Sequence, residues 1–276
     1  MKRSQFSYAI WPWGIKAKEV AEAAVKDIKD IGYTSFEGTK GFMAAYELDC
    51  KACKAMLDHH GVRAESFFFG LPAFGKEATL FDTLERELDF AANVGATLVT
   101  LQGTFGRPEV MNEAAKAQNL ENMHRFARLA KTFGLNTNAH PHVNTYFMFA
   151  DEIDYVMENS DSDLVGLAPD TAHIAAAGAD PVEVVRKYAQ RVRFTHLKDY
   201  KLSDAAPGAS WVGSGAPIMS CFHALGDGVL DIPEILKILA AVDYRGPLCV
   251  EMDSAPVSNV ASARQNYEYL TRYVKA

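Results

Sequence analysis

The chain is most informative at first through what it lacks. Four cysteines in 276 residues are too few for a disulfide scaffold, and only Cys50 and Cys53 lie close together. Their CxxC spacing has no second pair to complete a zinc ribbon and falls within a helical pattern, so both read as ordinary helix residues. No stretch approaches the roughly 18 to 20 apolar residues that cross a bilayer. The start, MKRSQFSYAIWPWG, is short, aromatic and broken by Pro12, which does not suit a secretory signal. Cytoplasmic placement with no membrane partner is therefore expected. Positive charge is not in excess either. A formal charge of −7 gives no basic face for a phosphate backbone, so nucleic acid is not an expected partner. No Pro/Gly/Ser-rich linker or low-complexity tract divides the chain, and residues 1–276 are expected to form one domain.

What is present is an alternation of short apolar runs with longer amphipathic stretches, the pattern of parallel α/β architecture. Eight strand candidates are Phe6–Ile10, Tyr33–Glu37, Arg63–Phe69, Thr97–Gln102, Leu135–Ala139, Leu164–Ala168, Val192–Thr195 and Leu248–Glu251. Helices are expected between them, over Lys18–Ile31, Leu48–His60, Leu80–Val94, Glu113–Phe133, Phe149–Asn159, Pro181–Ala189, Ile232–Ala241 and Val260–Tyr273. Gly32, Gly61, Gly95 and Gly134 each stand between a helix and a strand, where a left-handed cap needs glycine. Asp231-Ile232-Pro233-Glu234 has the form of a reciprocal N-terminal capping box. Eight βα units predict a closed (β/α)8 barrel. A doubly wound open sheet is the competitor, but Trp11-Pro12-Trp13-Gly14 stands where its glycine-rich phosphate loop belongs.

In such a barrel the functional groups lie at the carboxyl ends of the strands. Four stretches put imidazoles and carboxylates there: Asn138-Ala139-His140-Pro141-His142, Asp170-Thr171-Ala172-His173, His196-Leu197-Lys198-Asp199 and Val250-Glu251-Met252-Asp253. That mixture suits a borderline or moderately hard divalent ion. His140 and His142 alternate along an extended segment, so one of the two faces the axis. Asp170 reads equally as a helix cap, and Lys198 equally as an ion-pair partner. His59, His60 and His124 lie on helices and are set aside. Glu37, Glu65 and Gln102 are placed at the ends of strands two, three and four as candidate hydroxyl binders. Trp11 and Trp211 offer rings for the apolar faces of a sugar, and the same rings would serve as a homo-oligomer contact. The long, glycine-bearing segment Lys201–Gly228 reads as a lid.

The run Gly166–His173, the segment His196-Leu197-Lys198-Asp199, and Leu225-Gly226-Asp227-Gly228 with Asp231, Tyr244, Gly246 and Glu251 resemble the xylose isomerase-like TIM barrels, the superfamily of sugar phosphate isomerases and epimerases. The resemblance covers nearly the whole chain. It implies one divalent metal, with manganese preferred over cobalt, magnesium and zinc. The ligands it implies are His140, Asp170, His196 and Glu251, with His142 as the alternative on strand five and His173 beside the substrate. Many epimerases carry glutamate in the first position; histidine there is similar to the His-x-His stretch of inosose dehydratase-like members. Two carboxylates and two neutral imidazoles would balance the ion's charge and make it a stronger Lewis acid. With Glu251 the one evident base, the resemblance favours a dehydratase or other β-eliminating lyase acting on a keto-sugar or keto-cyclitol through an enediolate. Glu251, His173 and Lys198 are the expected catalytic groups. An isomerase or epimerase is the runner-up. An endonuclease IV-like nuclease would need more strand-end histidines, and a non-catalytic sugar-binding barrel would need no metal.

Overall fold

The structure, a computed structural model, describes residues 1–108, 111–209, 216–253 and 255–275. Along the chain β1 (Phe6–Ala9) leads through a 3-10 turn at Trp11–Trp13 to α1 (Lys18–Ile31) and β2 (Ser35–Thr39). Then come α2 (Lys40–Ala45), α3 (Cys50–His60), β3 (Arg63–Gly70), α4 (Glu77–Asn93), β4 (Leu98–Gln102), α5 (Glu113–Thr132) and β5 (Asn136–His140). The second half holds α6 (Ala150–Glu158), β6 (Val165–Leu167), α7 (Thr171–Ala176), α8 (Pro181–Tyr188) and β7 (His196–Leu197). It ends with β8 (Asp199–Tyr200), β9 (Phe222–His223), α9 (Ile232–Ala241), β10 (Leu248–Val250) and α10 (Asn259–Thr271).

Eight of these strands run parallel in the order β6-β5-β4-β3-β2-β1-β10-β7. The two ends meet through parallel bridges Leu167–Val192 and Asp170–His196. Arg193 and His196 donate their N–H groups to the carbonyls of Leu167 and Pro169 at 3.1 and 3.0 Å, which closes the (β/α)8 barrel. Strand seven differs from its expected span. It touches its neighbour at Val192, pairs regularly only at His196–Leu197, and so carries its ladder into the functional end. The sheet β8–β9 is a separate antiparallel ribbon at the base of the segment after strand seven. Within that segment residues 210–215, Trp211 among them, lie outside the described residues.

The helices pack on the barrel through one continuous apolar cluster that includes Phe36, Phe67, Phe69, Phe126 and Leu197. Gly32, Gly61, Gly95 and Gly134 all have positive φ, as their place after a helix demands. Asp231 caps α9 by accepting from the Glu234 N–H at 3.0 Å. The expected reciprocal contact gives way to a surface one, because the Glu234 carboxylate turns to Arg186 and Lys237. The Leu225–Gly228 motif is built around buried Asp199, which accepts from the N–H groups of Tyr200, Gly226 and Leu230. A Cβ at Gly228 would overlap that carboxylate, so the glycine there answers to packing. Cys53 is buried in α3 and Cys50 half-buried, both free. Burial pushes the Cys53 thiol up to about 12, which leaves it unreactive near neutral pH.

Candidate metal centre

The strand ends converge where the barrel opens. His140 is the last residue of β5 and pairs in register with Gln102 at the end of β4. Asp170 follows β6 and caps α7: its Oδ1 accepts from the His173 N–H at 2.8 Å. Both readings of this aspartate hold, since one oxygen caps the helix while Oδ2 is turned to the cluster. His196 opens β7, and Glu251 follows β10 with its N–H given to the Leu197 carbonyl at 3.2 Å. One ligand-type atom from each of His140, Asp170, His196 and Glu251 lies within 4.8 Å of the others, and all four residues are buried.

The donor set fits a divalent cation on the state of its atoms. Both ring nitrogens of His140, Oδ2 of Asp170, Nδ1 of His196 and Oε2 of Glu251 are buried without a well-formed hydrogen bond. Leaving such atoms unpaired costs about 1–3 kcal/mol each. His196 sharpens the point. Its Nε2 lies 2.6 Å from Oε2 of Glu37, with both side chains fully buried. If Nε2 carries the hydrogen, the Nδ1 lone pair faces Oε2 of Glu251 at 3.0 Å. Two electron-rich atoms at that distance need a cation between them, either a proton or a metal.

The charges around the cluster exceed the balance counted on four ligands. Glu37 and Asp253 add carboxylates, and the ammonium of Lys198 sits 2.7 Å from Asp253, 3.0 Å from Glu251 and 3.5 Å from Asp170. Four carboxylates against one ammonium leave the neighbourhood more negative than a neutral pairing with a divalent ion, so the expected gain in Lewis acidity is reduced. Burial opposes charge at His196, yet Glu37 and Glu251 prevail and raise it to about 10. Burial pushes Asp170 up to about 8 against the pull of Lys198. Glu251 goes the other way: burial would raise it, but Lys198 and His196 together hold it well below the usual carboxylate range.

Beside this cluster His142 and His173 stack with ring centroids 3.8 Å apart. Burial holds both below the ordinary histidine range. A cavity of about 230 Å³ opens over the site, lined by Trp11, Thr39, Phe68, Gln102, His142, Glu251 and Asp253. Gln102, His142 and Trp11 thus stand where substrate contacts were expected. Trp13 packs edge-on against Tyr8 and gives its indole N–H to Asp27.

Two expected substrate contacts are corrected. Glu37 lies beneath the cluster rather than on the cavity wall, accepting from Ser66 Oγ at 2.8 Å on one oxygen and meeting His196 on the other. Glu65 is at the opposite end of the barrel. It is the third residue of β3, skipped where the register of β2 with β3 passes from Ala64 to Ser66, and it pairs with Arg63 on the surface. Asp253, the last residue of the fourth strand-end stretch, holds Lys198, and Phe68, at the end of strand three, packs on His140 and His196. One contact was not foreseen: buried Arg107, in the loop after β4, meets Glu152 in the first turn of α6 at 2.8 Å. The Arg107–Glu152 pair left no local signal.

A closed (β/α)8 barrel with a buried His/Asp/Glu cluster at its carboxyl face defines the class. Residues 25–273 match the family model for xylose isomerase-like TIM barrels, and the chain belongs to that family and is an enzyme. It is 27% identical over 273 residues to an inosose dehydratase of Geobacillus kaustophilus, covering 92% of this chain and 87% of that one. It is 29% identical over 250 residues to an inosose dehydratase of Clostridium perfringens, covering 83% and 82%. Among solved structures, L-ribulose 3-epimerase superposes with a TM-score of 0.79 at 16% identity, over 100% of this chain and 95% of that one. The IolI protein, solved with a zinc atom, superposes with a TM-score of 0.77 at 12% identity, over 99% and 100%. Among the described residues no helix is long and apolar enough to cross a membrane.

Proposed function

We propose that the protein is a divalent-metal-dependent dehydratase acting on a keto-cyclitol or keto-sugar. The observation that carries the reading is the set of buried, unpaired ligand atoms of His140, Asp170, His196 and Glu251, with an imidazole in the strand-five place. Curated relatives named inosose dehydratase support the substrate class. The two carboxylates suit manganese and the two imidazoles suit zinc; manganese is the first choice, and zinc, present in the IolI structure, is its first competitor. A bound divalent ion would supply Lewis acidity to a substrate ketone, which acidifies the adjacent C–H.

The protein's own groups then divide the work. Glu251 stays ionised and accepts the proton from carbon; a carboxylate so stabilised is a weak base, so the chemistry leans on the acidity of the C–H. His173 presents Nε2–H, because its Nδ1 accepts from the Val143 N–H at 3.3 Å, and donates to the departing hydroxyl. Lys198, fixed by Asp253, offsets negative charge that develops on the substrate. Trp11 and Phe68 keep water from the wall of the cavity.

The test is a panel of keto-inositols, 3-keto-glycosides and ketoses incubated with metal-loaded protein in deuterium oxide. Uptake of deuterium beside the ketone with formation of an enone is expected. Exchange without elimination on every member would replace the dehydratase by an isomerase or epimerase. Metal analysis of the purified protein decides between manganese and zinc.

A further inference from the structure

Between the metal cluster and the cavity, the two polar groups of Val143 fix two imidazoles in opposite senses. Nδ1 of His142 lies 2.7 Å from the Val143 carbonyl. A carbonyl only accepts, so that nitrogen carries the hydrogen and Nε2 of His142 is a bare lone pair. The Val143 N–H points to Nδ1 of His173 at 3.3 Å. An N–H only donates, so this nitrogen is bare and Nε2 of His173 carries the hydrogen. With both Nδ1 atoms turned to Val143, the stacked rings turn both Nε2 atoms away from it. Nε2 of His173 is buried and has no partner. A ring nitrogen of His173 lies within 4.8 Å of the carboxylates of Glu251 and Asp253, which line the cavity together with His142.

We propose that His142 and His173 form a clamp specific for one substrate hydroxyl, the one that departs: its O–H donates to Nε2 of His142 while its oxygen accepts from Nε2–H of His173. An alcohol satisfies both partners, whereas a ketone oxygen has no hydrogen to give and leaves His142 unpaired. The clamp therefore orients a keto-cyclitol, turning an sp3 carbon to the histidines and leaving the ketone to the carboxylate-rich side. His142 becomes a specificity-determining residue rather than a metal ligand. This inference rests on the substrate class proposed above.

Two measurements test it. Long-range proton–nitrogen spectra of the zinc-loaded protein should show His142 with hydrogen on Nδ1 and His173 with hydrogen on Nε2; identical tautomers overturn the clamp whatever binds. Calorimetry with 2-keto-myo-inositol and its monodeoxy and monofluoro derivatives should find one position where losing the hydroxyl weakens binding roughly tenfold or more. In His142→Phe, which keeps a ring in the stack, the penalty at that position should fall below about threefold while metal affinity is unchanged. An equal penalty in both proteins, or loss of metal from His142→Phe, overturns the proposal. Opposite tautomers with no binding of any keto-inositol would overturn the substrate class and with it the clamp's occupant.

Discussion

His196 meets Glu37 across 2.6 Å between residues 159 positions apart, and neither side chain is reached by solvent. The contact assigns the hydrogen of a neutral His196 to Nε2 and turns Nδ1 toward Asp170 and Glu251. Carboxylates that orient a ligand imidazole typically contribute 10- to 100-fold to metal affinity. Glu37→Gln should therefore weaken divalent-metal binding by roughly that factor with the fold intact, as measured by metal titration and circular dichroism. A dissociation constant equal to that of the wild type would show that Glu37 only fills space.

Protons and metal compete for the same atoms, which gives a pH dependence with a definite sign. Asp170 and His196 have folded values of about 8 and about 10, each above its ordinary value. A group raised in this way stabilises the metal-free fold below its unfolded pKa and loses that contribution as pH rises through the folded one. The metal-free protein should thus lose thermal stability from about pH 4 to 8 through Asp170 and from about 6.5 to 10 through His196. Metal binding displaces both protons, so affinity should increase with pH over the same span. Melting curves in EDTA and in saturating manganese, from pH 6 to 10, check it. Parallel curves with and without metal would count against the cluster as the binding site.

Much of the architecture was legible because the first four helix-to-strand passages are punctuated: Gly32, Gly61, Gly95 and Gly134 mark the register there without any tertiary knowledge. The stretches that hold His140, Asp170, His196 and Glu251 could be gathered from their shared place at strand ends, while the choice of these four among their neighbours came from the family resemblance. The contacts around them were not legible. The β2–β3 bulge at Glu65 is a property of pairing, and the Glu37–His196 contact depends on barrel curvature; the place of Glu65 itself, third in a strand that begins at Arg63, was legible and points away from the site. Short α2 and α7 carry too few turns for a periodic signal. Asp170 shows the limit most clearly, since a capping aspartate and a cluster aspartate look alike in sequence and here are the same residue.

Glu65, near the start of β3 and away from the cluster, supplies a control. It pairs with Arg63 at 3.3 Å on a half-exposed surface, where ion pairs contribute between about 0 and 1 kcal/mol. Glu65→Gln should leave metal affinity and turnover unchanged and move stability by no more than about 0.5 kcal/mol. A large loss of activity would mean that this end of the barrel communicates with the site.

Lys198 sets a fully buried ammonium among three carboxylates. Burial alone would lower its pKa, but Asp170, Asp253 and Glu251 outweigh that and hold it above the usual lysine range. Removing one member of a buried ionic group strands the others, at a typical cost of about 3–5 kcal/mol. Lys198→Met should therefore destabilise the metal-free protein by about that amount. Adding Asp253→Asn removes the carboxylate that Lys198 contacts most closely, so the double variant should recover part of the loss and the two substitutions should be non-additive. Urea unfolding in EDTA measures all three proteins. Strict additivity would show that Asp253 and Lys198 act independently, and would remove the ground for treating the ammonium as a fixed charge in the site.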